Sequence, residues 1–191
     1  MGWIGETLSM KSDFTIQILT AAGAEMHLPR LEEILIGSVE DGALISFVLP
    51  FSGDQARAYW TSTLGSVADG ERLLICAMDE GQVIGTVQLY LSPEPNARHR
   101  AEVYKLLVHR RAQRRGVGSA LMEALELEAR RRGRSLLILD TVQGGTSERL
   151  YRRLGWDEIG VVPNHFVDPF GAPKASVYFM KHLAPWHAEV Q

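Results

Sequence analysis

The chain has 191 residues, 46% of them hydrophobic, which is enough for one domain with a full core. A formal charge of -3 and a pI near 6.1 remove any whole-chain case for nucleic acid or an acidic membrane as partner. A single cysteine rules out an internal disulfide, and no apolar run reaches the roughly 18 residues of a membrane span.

Residues 1–12 lack the basic start and apolar core of a secretory signal and are expected to form a loose extension. Together with the lone Cys76 in the apolar run RLLICAM, this points to a reducing cytoplasm and a buried thiol. FTIQIL (14–19) reads as a first strand and Leu31–Val39 as a helix. After the apolar connection DGALISFVLPFSGD, Asp54 is placed to cap a second helix with Ala56, Trp60, Leu64 and Val67 on one face. RLLICAMD and VIGTVQLYL flank Glu80-Gly81-Gln82, a hairpin signal. A Pro/Asn loop, SPEPNARHR, leads into a strand over Ala101–His109.

That strand passes through the arginine-rich loop RRAQRRGVG into an amphipathic helix with Val117, Ala120, Leu121, Ala124 and Leu125 on one stripe. Glu128 interrupts the stripe and marks the expected emergence of the helix into solvent; Gly133 is its expected stop. SLLILDTV then reads as a buried strand, SERLYRRLG as a short helix, and WDEIGVV and ASVYFMKHL as two closing strands. The intervening VVPNHFVDPFGAPKAS is long for a hairpin loop. One domain over 13–183 and an unplaced tail over 184–191 complete the organisation.

The arginine loop carries the chemistry. Gly116 and Gly118 strip side chains from the start of a helix, where unpaired N–H groups and the helix dipole make an anion site. Arg110, Arg111, Arg114 and Arg115 surround it in sequence, as for a pyrophosphate-like ligand. Arg130, Arg131, Arg132 and Arg134 sit at or past the last turn, where cations suit the dipole. No Lys-Ser or Lys-Thr follows the glycines, so this is not a P-loop, and a dinucleotide fingerprint would want Gly or Ala where Leu121 stands. The absence of aromatics within the cluster speaks against single-stranded nucleic acid.

The pattern that fits is [QR]-x-x-G-x-[GA], as Gln113-Arg114-Arg115-Gly116-Val117-Gly118, with a strand before it and a helix after it. Here the chain resembles the GCN5-related N-acetyltransferase (GNAT) superfamily over about Glu71 to Leu183, with RAEVYKLLV, LLILDT and ERLYRRLGW in the corresponding places. The spacing from Asp140 to Tyr151 is most similar to that of tabtoxin-resistance-type acetyltransferases. The resemblance implies an α/β fold with a central mixed, mostly antiparallel sheet flanked by helices, and acetyl-CoA as cosubstrate. In the family a bulged strand pairs with the pantetheine arm, which implies Leu107 and Val108 here, and the pyrophosphate would rest on Gln113, Arg114, Arg115, Gly116, Val117, Gly118 and Ser119. Many members carry Asn seven residues before the tyrosine, its side chain on the CoA arm; this chain has Gly144, so that contact is missing or passes to Thr146 or Ser147.

Tyr151 matches the family's Y-x-x-x-G-[FW], as Tyr151 to Trp156, and is implied as the proton donor to the leaving thiolate; its spacing with Leu150 and Leu154 equally suits a core aromatic. Asp140 and Glu102 are the carboxylates available to bind or deprotonate the amine, with a turn cap as the alternative for Asp140. His99, His109 and His165 have no metal-ligand spacing, and no metal is expected. The expected function is acetyl transfer to a primary amine of a small molecule, with an amino-acid-like toxin or antibiotic as the class the resemblance suggests. Protein Nα or lysine acetylation, and a non-catalytic acyl-CoA-binding domain, are the alternatives. Residues 41–54 and the 161–176 loop either line the acceptor site or make a homodimer interface.

Overall fold

A computed structural model describes residues 13–183; the expected extension at 1–12 and the tail at 184–191 lie outside the described residues. The elements are β1 (Thr15–Leu19), α1 (Ala21–Glu25), α2 (Leu28–Glu40), α3 (Gly53–Ala68), β2 (Arg72–Asp79), β3 (Gln82–Leu91), β4 (Arg100–Val108), α4 (Val117–Arg131), β5 (Leu136–Val142), α5 (Thr146–Arg153), β6 (Asp157–Val167) and β7 (Pro173–His182). They build one seven-stranded mixed sheet in the order β1-β2-β3-β4-β5-β7-β6, antiparallel except for β4 with β5.

Local chemistry sets most boundaries. Asp79 pairs with Gln82, and the two residues between them, Glu80 and Gly81, both have positive φ, as a tight hairpin requires. The cap of α3 is Ser52, not Asp54: its hydroxyl accepts from Gln55 N–H while the Gln55 side chain returns to the Ser52 N–H. Gly133, with φ of 70°, follows the C-cap Arg132 and ends α4. Glu128 does not emerge into solvent. It is 7% exposed, and Arg131 and Arg132 reach back over it, so the last turn buries a carboxylate by pairing it. The predicted 161–176 loop is mostly strand, leaving only Asp168–Ala172 as connection. A register shift between Val162 and Phe166, with Asn164 at positive φ, absorbs Pro163 on this edge strand.

Two clusters divide the core. One face of the sheet packs α4 and α5 through Val87, Leu89, Val103, Leu137, Leu139, Val117, Leu121, Leu125 and Tyr151. The other packs α1–α3 through Leu74, Cys76, Val83 and Leu107 against Leu31, Leu35 and Trp60. Cys76 is fully buried there, and burial pushes its thiol up to about 12, which leaves it inert. Helices α1–α3 lie over β1–β4, and none of them packs on β5 or β7 to a comparable extent.

The start of α4 sits close on β3. A Cβ at Gly85 would lie 2.9 Å from Val117 Cγ1, 3.1 Å from the Leu107 oxygen and 3.2 Å from Leu121 Cδ1. Gly85→Val should therefore lower stability by about 1–3 kcal/mol through overpacking, read as a fall in the urea midpoint at constant slope.

Candidate functional site

Strands β4 and β5 run side by side for only three pairs, Arg100 with Leu136, Ala101 with Leu137 and Glu102 with Ile138. Beyond that they part. β5 stays paired with β7 up to Val142, while β4 stays paired with β3 up to Val108. The facing backbone edges of β4 and β5 are thus left open to a ligand, and a parted parallel pair is an extended slot lined by N–H and C=O groups.

β4 is bulged. Thr86 pairs with Leu107 and Gln88 with Tyr104, so β4 holds one residue more than β3 across this stretch, and Lys105 has φ of 50°. The extra residue switches the faces. Ala101 and Val103 belong to the α4 cluster, yet Leu107 belongs to the α1–α3 cluster. The bulge lies at Lys105–Leu106, immediately before the Leu107 and Val108 that the resemblance singled out.

The arginine loop ends at Gly116, the N-cap of α4, in the left-handed conformation at φ of 82°. The first helical bond of α4 runs from Ala120 N–H to the Gly116 oxygen, so Val117, Gly118 and Ser119 offer N–H groups with no partner inside the helix. Gly118 faces α5: a Cβ there would be 3.4 Å from Leu150 Cδ2. The start of α4 and Tyr151 therefore share one side of the sheet.

The four loop arginines do not act alike. Arg110 Nε donates to Asp41 at 2.6 Å, tying the loop to α2, and Arg115 pairs with Asp79 at 3.0 Å. Arg111 and Arg114 are exposed, and Arg114 has φ of 61°. The Gln113 amide reaches back to the Val108 oxygen at 3.5 Å. A groove of about 350 Å³ lined by Glu33, Gly37, Asp41, Val108, His109 and Arg110 flanks this loop, as does a second of about 270 Å³ reaching Asp79, Arg111 and Arg115. His109 is a structural link: Nε2 lies 3.2 Å from Glu33, and Nδ1 accepts from Arg111 N–H.

Tyr151 is 5% exposed in α5, with its ring centroid 5.9 Å from Trp156 and 6.1 Å from Phe179. Burial first, then the nearby Asp140 charge, raises its pKa, so the phenol holds its proton at neutral pH. Asp140 lies on the opposite side of the gap. It is a strand residue of β5 and accepts from Ser176 on β7 at 2.7 Å. It is not the turn cap: Glu148 takes the Gly144 N–H at 2.5 Å, which together with Arg152 lowers the Glu148 pKa. Glu102 accepts from Tyr104 at 2.5 Å and lies 3.5 Å from Arg100. Ser147 lies in the first turn of α5, partly exposed, directly after the uncapped Gly145–Thr146 start.

The two apolar loops meet. Leu49 N–H donates to the Pro169 oxygen at 2.9 Å, and a Cβ at Gly42 would be 3.4 Å from the Phe170 ring. Lys105 fastens the first loop from below, donating to the Ile45 oxygen at 2.6 Å and the Ser46 hydroxyl at 3.3 Å. Sequence reasoning missed Lys105, although the signal was present: strict alternation from Val103 would put a lysine on the core face, and only a bulge relieves that.

The model of the acetyltransferase (GNAT) family matches residues 38–156. The chain belongs to this family. An N-acetyltransferase from Staphylococcus aureus superposes with a TM-score of 0.75 at 18% identity, covering 91% of this chain and 100% of that one. A ribosomal-protein-alanine N-acetyltransferase from Brucella melitensis gives 0.72 at 27% identity, covering 87% and 98%. The protein yncA from Salmonella typhimurium, solved with its cofactor acetyl-CoA, gives 0.74 at 22% identity, covering 93% and 98%. As a GNAT acetyltransferase the chain carries out acetyl-CoA-dependent acetyl transfer.

Gly116→Val should strain the left-handed N-cap by about 1–3 kcal/mol. The expected outcome, measured by calorimetry, is CoA affinity lowered about tenfold or more while the chain remains folded.

Proposed function

We propose that this chain is an N-acetyltransferase that passes acetyl directly from acetyl-CoA to the primary amine of a small molecule. The observation that carries this reading is the parting of β4 and β5, with different chemistry on each side. The loop Gln113 to Ser119 and the buried phenol of Tyr151 lie on one side. Glu102, Asp140 and the joined loops lie on the other. Bound acetyl-CoA supplies an activated thioester. The amides of Val117, Gly118 and Ser119 hold its pyrophosphate, with Gln113, Arg114 and the Arg115 backbone beside it; the open edge at Leu107 and Val108 takes the pantetheine arm, and Ser147 contacts the CoA arm from α5.

Attack by an amine requires loss of its proton and a proton for the departing sulfur. Asp140 and Glu102 bind the ammonium and draw off its proton, directly or through water. Tyr151 supplies the proton to sulfur from the opposite side. No protein nucleophile takes part, in keeping with the inert Cys76. The use of one free, buried cysteine supports a cytoplasmic site of action.

A small acceptor is favoured because the Leu49–Pro169 hydrogen bond closes the two loops over the acceptor face, where a polypeptide would need an open channel. Protein Nα acetylation remains the second reading, supported by the 27% identity to the ribosomal-protein-alanine enzyme. A panel of amines, amino acids and peptides assayed by thiol release separates the two.

Acetyl-CoA should bind and raise the melting temperature, since it binds only the folded chain; no binding at millimolar ligand in calorimetry overturns the reading. Tyr151→Phe should keep CoA binding and lower turnover by about 10²–10⁴, whereas a core-only tyrosine predicts near wild-type rates when chemistry is limiting. Asp140→Asn should lower turnover with little loss of stability, because the Ser176 hydroxyl can donate to the new amide oxygen as it did to the carboxylate. A lower melting temperature with unchanged kinetics would assign Asp140 a structural role.

A further inference from the structure

Beneath the joined loops, two cations stand without an ion-pair partner among the described residues. Arg72, on β2, donates from Nη1 to the fully buried Gln88 at 2.7 Å. Its guanidinium lies 5.3 Å from the ring centroid of Tyr90 and 5.2 Å from that of Tyr104. Its Nε is buried and has no hydrogen-bond partner. Lys105 extends from the β4 bulge over the rings of Phe47 and Tyr59, at 5.5 and 5.6 Å. Two of its three N–H bonds go to Ile45 and Ser46, and the third is unassigned.

Uncompensated cations inside a partly dry site are costly unless something supplies the missing anion. Arg72 and Lys105 are close enough to repel: burial first, then the Arg72 charge, brings Lys105 down to about 8, with Asp140 opposing the shift. On the same face, towards the gap, stand the carboxylates of Glu102 and Asp140. Cations on one flank and carboxylates on the other match a ligand that carries both charges.

We propose that Arg72 and Lys105 form an anion subsite, so that the acceptor is an amine bearing a carboxylate or similar oxyanion a few bonds away. This rests on the acetyltransferase reading for its acceptor, although the subsite itself can be tested without turnover. The anion docks between the Arg72 guanidinium and the third Lys105 N–H, and the ammonium then falls towards Asp140 and Glu102 beside the gap. A polycationic amine meets repulsion at the same place.

The direct test is titration of Lys105 by carbon NMR with CoA bound, so that the pyrophosphate loop is already filled. With only Lys11, Lys105, Lys174 and Lys181 in the chain, the signal is assigned by its loss in Lys105→Gln. Excess acetate, against chloride at equal ionic strength, should raise the Lys105 midpoint from about 8 towards the ordinary lysine value. Arg72→Gln, which leaves the bulge intact, should abolish that shift. An unmoved midpoint overturns the subsite. In thiol-release assays, amino acids should show KM values about tenfold or more below those of their decarboxylated amines, a preference of the size one charge-assisted pair gives. Lys105→Met should erase the preference while the KM for acetyl-CoA stays put; equal use of both amines overturns the proposal. An acetate shift with no acetylation of any amine would keep the subsite and remove the enzyme reading, whereas acetylation with an unmoved midpoint would do the reverse.

Discussion

Everything in this molecule hangs on a backbone problem: two parallel strands that pair for three residues and then separate, leaving N–H and C=O groups facing open space. A sheet pulled apart in its middle would ordinarily close or fray. Here each strand is held by its outer neighbour, β4 by β3 and β5 by β7, so the opening is framed on both sides by paired strands. The two helices beneath it, α4 and α5, approach at Gly118 and Leu150, where an added Cβ would lie in van der Waals contact, 3.4 Å from Leu150 Cδ2.

The bulge in β4 serves the same opening. Its extra residue returns Leu107 to the α1–α3 core and turns Lys105 towards the loop at Ile45 and Ser46. One insertion thus sets the strand end, the roof over the acceptor face and the position of a cation. Gly85, opposite, lets α4 start hard against the sheet, so the amides of its first turn are aimed by packing against Val117 and Leu121.

Elements and hairpin were legible in the sequence wherever the signal was local. Glu80-Gly81 is such a case, as is the stripe from Val117 to Leu125, because turn geometry and helix period act over a few residues. What was not legible depends on partners far along the chain. Glu128 looked solvated until Arg131 and Arg132 folded back on it. Arg110 and Arg115 looked like ligand groups, yet their guanidiniums answer to Asp41 and Asp79, 69 and 36 residues away. The segment 161–176 read as a loop, yet an edge strand with a register shift accommodates its Pro163. The site divides the same way: the glycine loop is a local pattern, whereas Arg72, Lys105 and Asp140 meet only once the sheet has formed.

The loops at 43–52 and 168–172 meet each other and Lys105 and pack Phe47 and Phe51 on the α1–α3 side, whereas the arginine loop is anchored to Asp41 at the end of α2, to Asp79 and to the hydrophobic seat at Gly85. Mutational drift in Phe47, Leu49 or Phe170 therefore reshapes one entrance without disturbing the amides at the other. Such a frame can change its clientele while keeping its donor, since the two entrances share only the end of α2, at Asp41, and a single strand.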